Sequence, residues 1–167
     1  MRKMTQQNLE NAYAGESQAH MRYLIFSDVA EKEGKSNLAR LFKAISYAEQ
    51  VHATSHYREL GNIQNSAKNL EMAINGENFE VEEMYPVYEN TAAFQKEKGA
   101  ERSAHFAWEA EKIHAQMYTS AKNEADKGKD MEIGKLYVCP VCGFTVQGSA
   151  PDQCPECHTK KELFKIF

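Results

Sequence analysis

The chain twice places a glutamate and a histidine three residues apart among strong helix formers: YAEQVH carries Glu49 and His52, and EAEKIH carries Glu111 and His114. Three helical steps turn through about 300°, so each pair leaves from neighbouring lines on one face. In both copies the neighbours on that side are apolar, Ile45, Ala48 and Val51 in one and Ala107, Ala110, Ile113 and Met117 in the other. Both motifs are therefore expected to point at or near an apolar interior. A fold able to host them needs at least two long helices whose inward faces carry ionisable groups.

Hydrophobic periodicity supplies four such helices. The first is expected over residues 8 to 33, with Leu9, Ala12, Ala19, Tyr23, Phe26 and Ala30 at helical spacing, and EKEGKS breaks it. The second follows with Ser36 as cap, Leu38, Leu41, Phe42, Ile45, Ala48 and Val51 along one broad side, and Gly61 as its stop. Residues 62 to 75 read as a connection. A third helix is expected from about Asn75, kinked at Pro86 and stopped by Gly99, and a fourth over residues 100 to 127. GKDMEIG then reads as a linker, so the domains are expected at 1–130 and 134–167.

Two further helices contribute acids to the same interior. Glu16 lies in YAGESQAH on the first, and Glu77 and Glu80 lie three apart in GENFEVEEMYP on the third. Isolated ionised carboxylates in a core cost many kcal/mol unless they are protonated or neutralised by cations. Carboxylate oxygen mixed with imidazole suits iron or manganese better than a thiolate-preferring metal, and a carboxylate can bridge two ions. Ferritin-like bundles hold two metals with this set: one Glu from each of two helices and Glu-x-x-His from each of two others. The spacings repeat too, since Glu16 to Glu49 spans 33 residues and Glu80 to Glu111 spans 31. His20 is expected behind the ligands or on the surface, His56 and His105 to be ordinary, and Glu82 and Glu83 to face solvent or lie behind the ligands.

All four cysteines fall in the tail CPVCGFTVQGSAPDQCPEC, as Cys139 with Cys142 and Cys154 with Cys157. Two Cys-x-x-Cys pairs place four thiolates at the corners of a tetrahedron, the geometry of structural zinc or of a single iron. On this segment alone structural zinc is the favoured reading, with a single iron the alternative. A di-iron site that turns over needs electrons one at a time, and only iron among the two changes valence. Tyr137, Phe144, Phe164 and Phe167 are the few aromatics available to so small a unit.

A formal charge of −4 and a pI near 5.9 leave no basic stripe for phosphates, which argues against nucleic acid as a partner. No apolar run approaches the ~20 residues of a membrane span, and the N-terminal MRKMTQQNLE is not a signal peptide, so a cytoplasmic protein is expected.

Together, YAGESQAHMRY around Glu16, the AEQVH and AEKIH helices, GENFEVEEMYP and the CPVCG knuckle resemble the rubrerythrin family over essentially the whole chain. The resemblance implies an all-α, ferritin-like four-helix bundle with a small C-terminal rubredoxin-like domain. It implies a peroxidase that reduces hydrogen peroxide to water at two carboxylate-bridged Fe ions, with electrons passed through one Fe in the tetrathiolate site from a rubredoxin or an NAD(P)H-dependent rubredoxin reductase. Zinc can substitute for iron. By position, Glu16, Glu49, His52, Glu77, Glu80, Glu111 and His114 carry over as catalytic di-iron ligands, with Glu49 and Glu111 bridging and one iron exchanging between Glu80 and His52. Cys139, Cys142, Cys154 and Cys157 carry over as the tetrathiolate.

The family implies a homodimer or higher homo-oligomer in which one subunit's rubredoxin-like unit approaches the other's cluster, at times with exchanged helices. His158 departs from the glycine that often follows the last cysteine. Two other readings use the same residues: a ferroxidase or iron-storage bundle, and a non-enzymatic scaffold with a zinc ribbon.

Overall fold

A computed structural model describes all residues, 1–167. The chain divides into two compact units, residues 1–64 and 65–167, each described by itself.

The first unit is a helical hairpin of α1 (Lys3–Lys32) and α2 (Ser36–Glu59). Its turn is a Schellman motif. Gly34 adopts φ 73°, Lys35 N–H donates to Ala30 O at 2.8 Å and Gly34 N–H to Glu31 O at 2.9 Å. Lys35, not Ser36, precedes the helix, and no side chain caps it. The two helices meet through small residues, with Ser27, Ala30, Ala39, Ser46 and Ala53 buried. Ser27 Oγ donates to Ala39 O at 2.9 Å. Small side chains let two backbones approach closely, and this contact uses only one side of each helix. The broad apolar side expected as core, Leu38, Leu41, Ile45 and Val51, is between 39% and 56% exposed.

The second unit begins earlier than the periodicity indicates. Helix α3 spans Ser66–Phe79, and Asn65 caps it by accepting from Lys68 N–H at 3.0 Å. The segment expected as a connection is thus helical, because an Asn cap followed by good helix formers outweighs Gly76, which sits inside the helix. The kink expected at Pro86 is resolved differently as well. A π-turn over Glu80–Met84 joins α3 to α4 (Tyr85–Phe94), and Pro86 falls in the first turn of α4.

The stop expected at Gly99 comes three residues sooner. Lys96 takes φ 62°, Glu97 N–H donates to Ala92 O at 2.9 Å, and α5 (Lys98–Ala125) starts at once. Lysine in this left-handed position costs about 1–2 kcal/mol relative to a right-handed one. Helix α5 ends with Gly128 at φ 71° and Lys129 N–H on Glu124 O at 3.0 Å.

After an irregular stretch, β1 (Leu136–Val138) pairs antiparallel with β2 (Thr145–Gln147) and with β3 (Lys165–Ile166), in the order β2-β1-β3. The core of this small sheet is Cys139, Cys142, Cys154, Ala150 and Phe164, with Phe106 of α5 packed against it. No helix of the chain is long and apolar enough to cross a membrane.

Candidate metal centres

In the hairpin, Glu16 of α1 meets Glu49 and His52 of α2, with one ligand atom from each lying within 4.8 Å of the others. His52 Nδ1 is 3.1 Å from Glu49 Oε2 and 3.8 Å from Glu16 Oε1. The glutamates are half-buried, while the imidazole is 56% exposed within the chain. A polar clamp sits beside this triad. His20 Nδ1 lies 2.9 Å from both the carbonyl and the hydroxyl of Ser46, and Ser46 Oγ donates to His20 O at 2.9 Å. Since that hydroxyl proton is spent on His20 O, Nδ1–H is the donor in the other two contacts. His20 is one turn from Glu16 and Ser46 one turn from Glu49, so the clamp bonds α1 to α2 one turn from the triad. His20 thus stands beside the triad rather than in it.

In the second unit, Glu77 of α3 meets Glu111 and His114 of α5, again within 4.8 Å. His114 Nδ1 lies 2.6 Å from Glu111 Oε2. Burial pushes the Glu77 carboxyl up to about 7, helped by its hydrogen bond to Glu111 and by the charges of Glu111 and Glu80. Glu80 lies outside the triad but inside its field. Burial raises its carboxyl, the Glu111 charge adds to that, and His114 opposes it. Tyr85 stands beside the same acids, its phenol raised by burial and then by Glu80, Glu111 and Glu77. Glu82 and Glu83 are exposed, as expected.

The four cysteines converge within 4.8 Å as free thiols. Cys139 Sγ is 3.4 Å from Cys157 Sγ, and Cys142 Sγ is 3.4 Å from Cys154 Sγ. Each knuckle turns in the left-handed region, at Gly143 (φ 80°) and at His158 (φ 59°), so histidine accepts the strained turn that glycine usually makes. Burial raises Cys142 and Cys154. At Cys139 burial acts upward too, but the N–H groups of Val141 and Cys142 outweigh it and bring the thiol down to about 7. Four thiols at this spacing ionise together only around a cation, and amide donors aimed at sulfur suit a thiolate–metal centre.

The tetrathiolate unit touches α5 at the second triad. His114 Nε2 lies 3.0 Å from Thr145 Oγ1, and Thr145 in turn donates to Gly143 O at 2.9 Å. Gly143 packs on α5, where an added Cβ would come 3.6 Å from the Cβ of Ala110, next to Glu111. This docking is within one chain. Sequence reasoning missed Thr145 and Ser46, since a single hydroxyl residue in a short strand or on an apolar face carries no spacing signal.

The profile of the rubrerythrin family matches residues 7–122, and that of its rubredoxin-like domain matches residues 137–165. The chain belongs to the rubrerythrin family. It is 48% identical to Rubrerythrin-2 of Clostridium acetobutylicum, with 98% of this chain and 97% of the relative covered. It is 31% identical to nigerythrin of Nitratidesulfovibrio vulgaris, over 98% and 86% of the two chains. A solved structure of nigerythrin in a fully reduced, all-ferrous state superposes with a TM-score of 0.57 at 30% identity, covering 98% of this chain and 86% of that one.

The fold class is thus ferritin-like and all-α with a rubredoxin-like C-terminal domain. The family's cofactors are a carboxylate-bridged pair of irons and one tetrathiolate iron. The donor sets fit them: clustered carboxylates with imidazole in one place, where burial and neighbouring acids raise Glu77 and Glu80, and four crowded thiols in the other.

Proposed function

We propose that the protein reduces hydrogen peroxide to water at a di-iron centre built from Glu16, Glu49, His52, Glu77, Glu80, Glu111 and His114. Residues 1–130 supply this centre and residues 134–167 the electron-transfer iron. The observation that carries the reading is the hydrogen bond from His114 through Thr145 to Gly143, the residue after Cys142, because it joins a carboxylate–histidine triad to the tetrathiolate knuckle. A storage bundle has no use for such a junction.

Peroxide takes up two electrons and two protons to give two waters. A bound iron pair supplies the electrons to the O–O bond. This chain's residues do the rest. In the metal-free chain Glu77 titrates at about 7 and the Glu80 carboxyl is raised, because burial and neighbouring charge penalise their anions until a cation neutralises them. Tyr85 places a phenol beside the same acids. Thr145 accepts from His114 Nε2–H, which leaves Nδ1 facing Glu111 and the metal position. Cys139, Cys142, Cys154 and Cys157 hold the iron that receives electrons from a rubredoxin or an NAD(P)H-dependent rubredoxin reductase. The protein acts as a homodimer or higher homo-oligomer. Four free thiols fit a reducing, cytoplasmic compartment.

Anaerobically reduced protein is expected to be reoxidised by stoichiometric peroxide much faster than by dioxygen. Glu80→Ala should lose peroxide turnover and keep the red ferric-thiolate colour. Natively purified protein that contains zinc alone and ignores peroxide would refute the reading.

A further inference from the structure

The third helix changes pitch where it passes the second triad. Tyr85 N–H reaches back five residues to Glu80 O, instead of four to Val81 O. Val81 O therefore loses its α-helical donor. The next amide along, which would serve it in a continued π-helix, belongs to Pro86 and has no N–H. A partly buried carbonyl left in that state is costly. Trp108 on α5 relieves it: Nε1–H donates to Val81 O at 2.8 Å. Pro86 also opposes the α alternative, since its ring would press on the carbonyl of Glu82 four residues back. One residue disfavours the ordinary pitch and another caps what the wide turn leaves open.

The pitch has a consequence for the site. Glu77 to Tyr85 is eight residues, which in an unbroken α-helix leaves the two about 80° apart; a turn that absorbs one extra residue brings them back to within about 20°. Trp108 is the only tryptophan of the chain and lies one turn before Glu111. Its bond therefore ties the helix that carries Glu111 and His114 to the turn that opens at Glu80.

We propose that Trp108 is a positioning residue whose indole N–H holds the Glu80–Met84 turn in its π register, and that this register sets Glu80 and Tyr85 against Glu111 and His114. The positioning role rests on the reading of those acids as iron ligands; the latch does not.

The test replaces Trp108 by β-(3-benzothienyl)alanine, which keeps the fused ring and puts sulfur where the N–H was. In the metal-free full chain, exchange of the Tyr85 amide should quicken about tenfold, the scale of one hydrogen bond, while amides in the middle of α1 keep their rates. After iron loading, the carboxylate site should hold iron several-fold more weakly and its near-ultraviolet charge-transfer bands should shift, with the tetrathiolate spectrum unchanged. Trp108→Phe, which also removes the donor, should behave alike. Unchanged Tyr85 exchange in the benzothienyl protein overturns the latch. Faster exchange with unchanged iron affinity and spectrum overturns the positioning role. Failure of the wild-type chain to bind iron at its acids would sink the functional reading and the positioning role with it, and the exchange result would still decide the latch.

Discussion

His114 Nε2 and Thr145 Oγ1 stand 3.0 Å apart, and they join α5 to the strand that follows the first cysteine knuckle. Because Thr145 spends its own proton on Gly143 O, the shared proton belongs to the imidazole. Nε2 therefore carries the proton of this contact, and Nδ1 is turned to Glu111 Oε2, 2.6 Å away. Thr145→Val keeps the shape and removes the acceptor. We expect reduction of the carboxylate site through the tetrathiolate to slow about tenfold or more. Stopped-flow reduction of the oxidised protein measures this. Proton–nitrogen spectra of the metal-free protein should show the His114 Nε2–H losing its hydrogen-bonded shift. Equal rates in both proteins would exclude the junction as a route.

Glu77 gives a pH dependence of definite sign. Its carboxyl titrates at about 7 in the folded chain, against 4.5 for an unperturbed glutamate. The folded state therefore binds more protons than the unfolded state between these values, so metal-free stability falls as pH rises from about 4.5 to about 7. Glu77→Gln removes the share of that slope that Glu77 contributes. Melting curves of both proteins without metal should converge below pH 4.5, and the wild type should fall progressively behind the variant up to pH 7. Iron should reverse the trend, because the cation takes the place of the proton.

Much of this was legible in the residues. The repeated Glu-x-x-His pairs and the paired cysteines fixed which side chains meet, since side-chain spacing on a helix and a two-residue knuckle are local geometry. Glu16 meets Glu49 and His52, and Glu77 meets Glu111 and His114, whereas the spacing predicts one cluster that also holds Glu80. What was not legible depended on backbone hydrogen bonding across elements. The π-turn is set by Trp108, 27 residues away from Val81, and Pro86 alone suggested only a kink. The start of α3 at Ser66 hid behind Gly76, and the stop at Lys96 behind Gly99. The large apolar side of α2 was expected as core, whereas within the hairpin alanine and serine make the contact.

The tetrathiolate unit should depend on its metal for structure. Beyond the cysteines its core is Ala150 and Phe164, with a few half-buried aromatics, which is little apolar area for three short strands. Strong chelation under denaturant-free conditions should abolish the dispersed amide signals of residues 136–166 while the helical circular dichroism persists. Cys142→Ser should do the same in part, and a fully dispersed spectrum in the chelated protein would show that the unit folds on its side chains alone.

Ser46 tests whether the hairpin sets the level of the first triad. Its side chain is fully buried, donates to His20 O and accepts from His20 Nδ1–H. Ser46→Ala removes two partners at once and leaves an imidazole N–H with only the Ser46 carbonyl. The expected loss is about 1–2 kcal/mol in denaturant titration. Ser46→Val adds volume where none is free, and overpacking costs about 1–3 kcal/mol while forcing α1 and α2 apart. If the clamp also sets the ligand level, both variants should weaken iron binding at Glu16, Glu49 and His52, and Ser46→Val more than its stability loss alone accounts for. A Val variant that folds with lowered stability and native iron affinity would restrict Ser46 to a packing role.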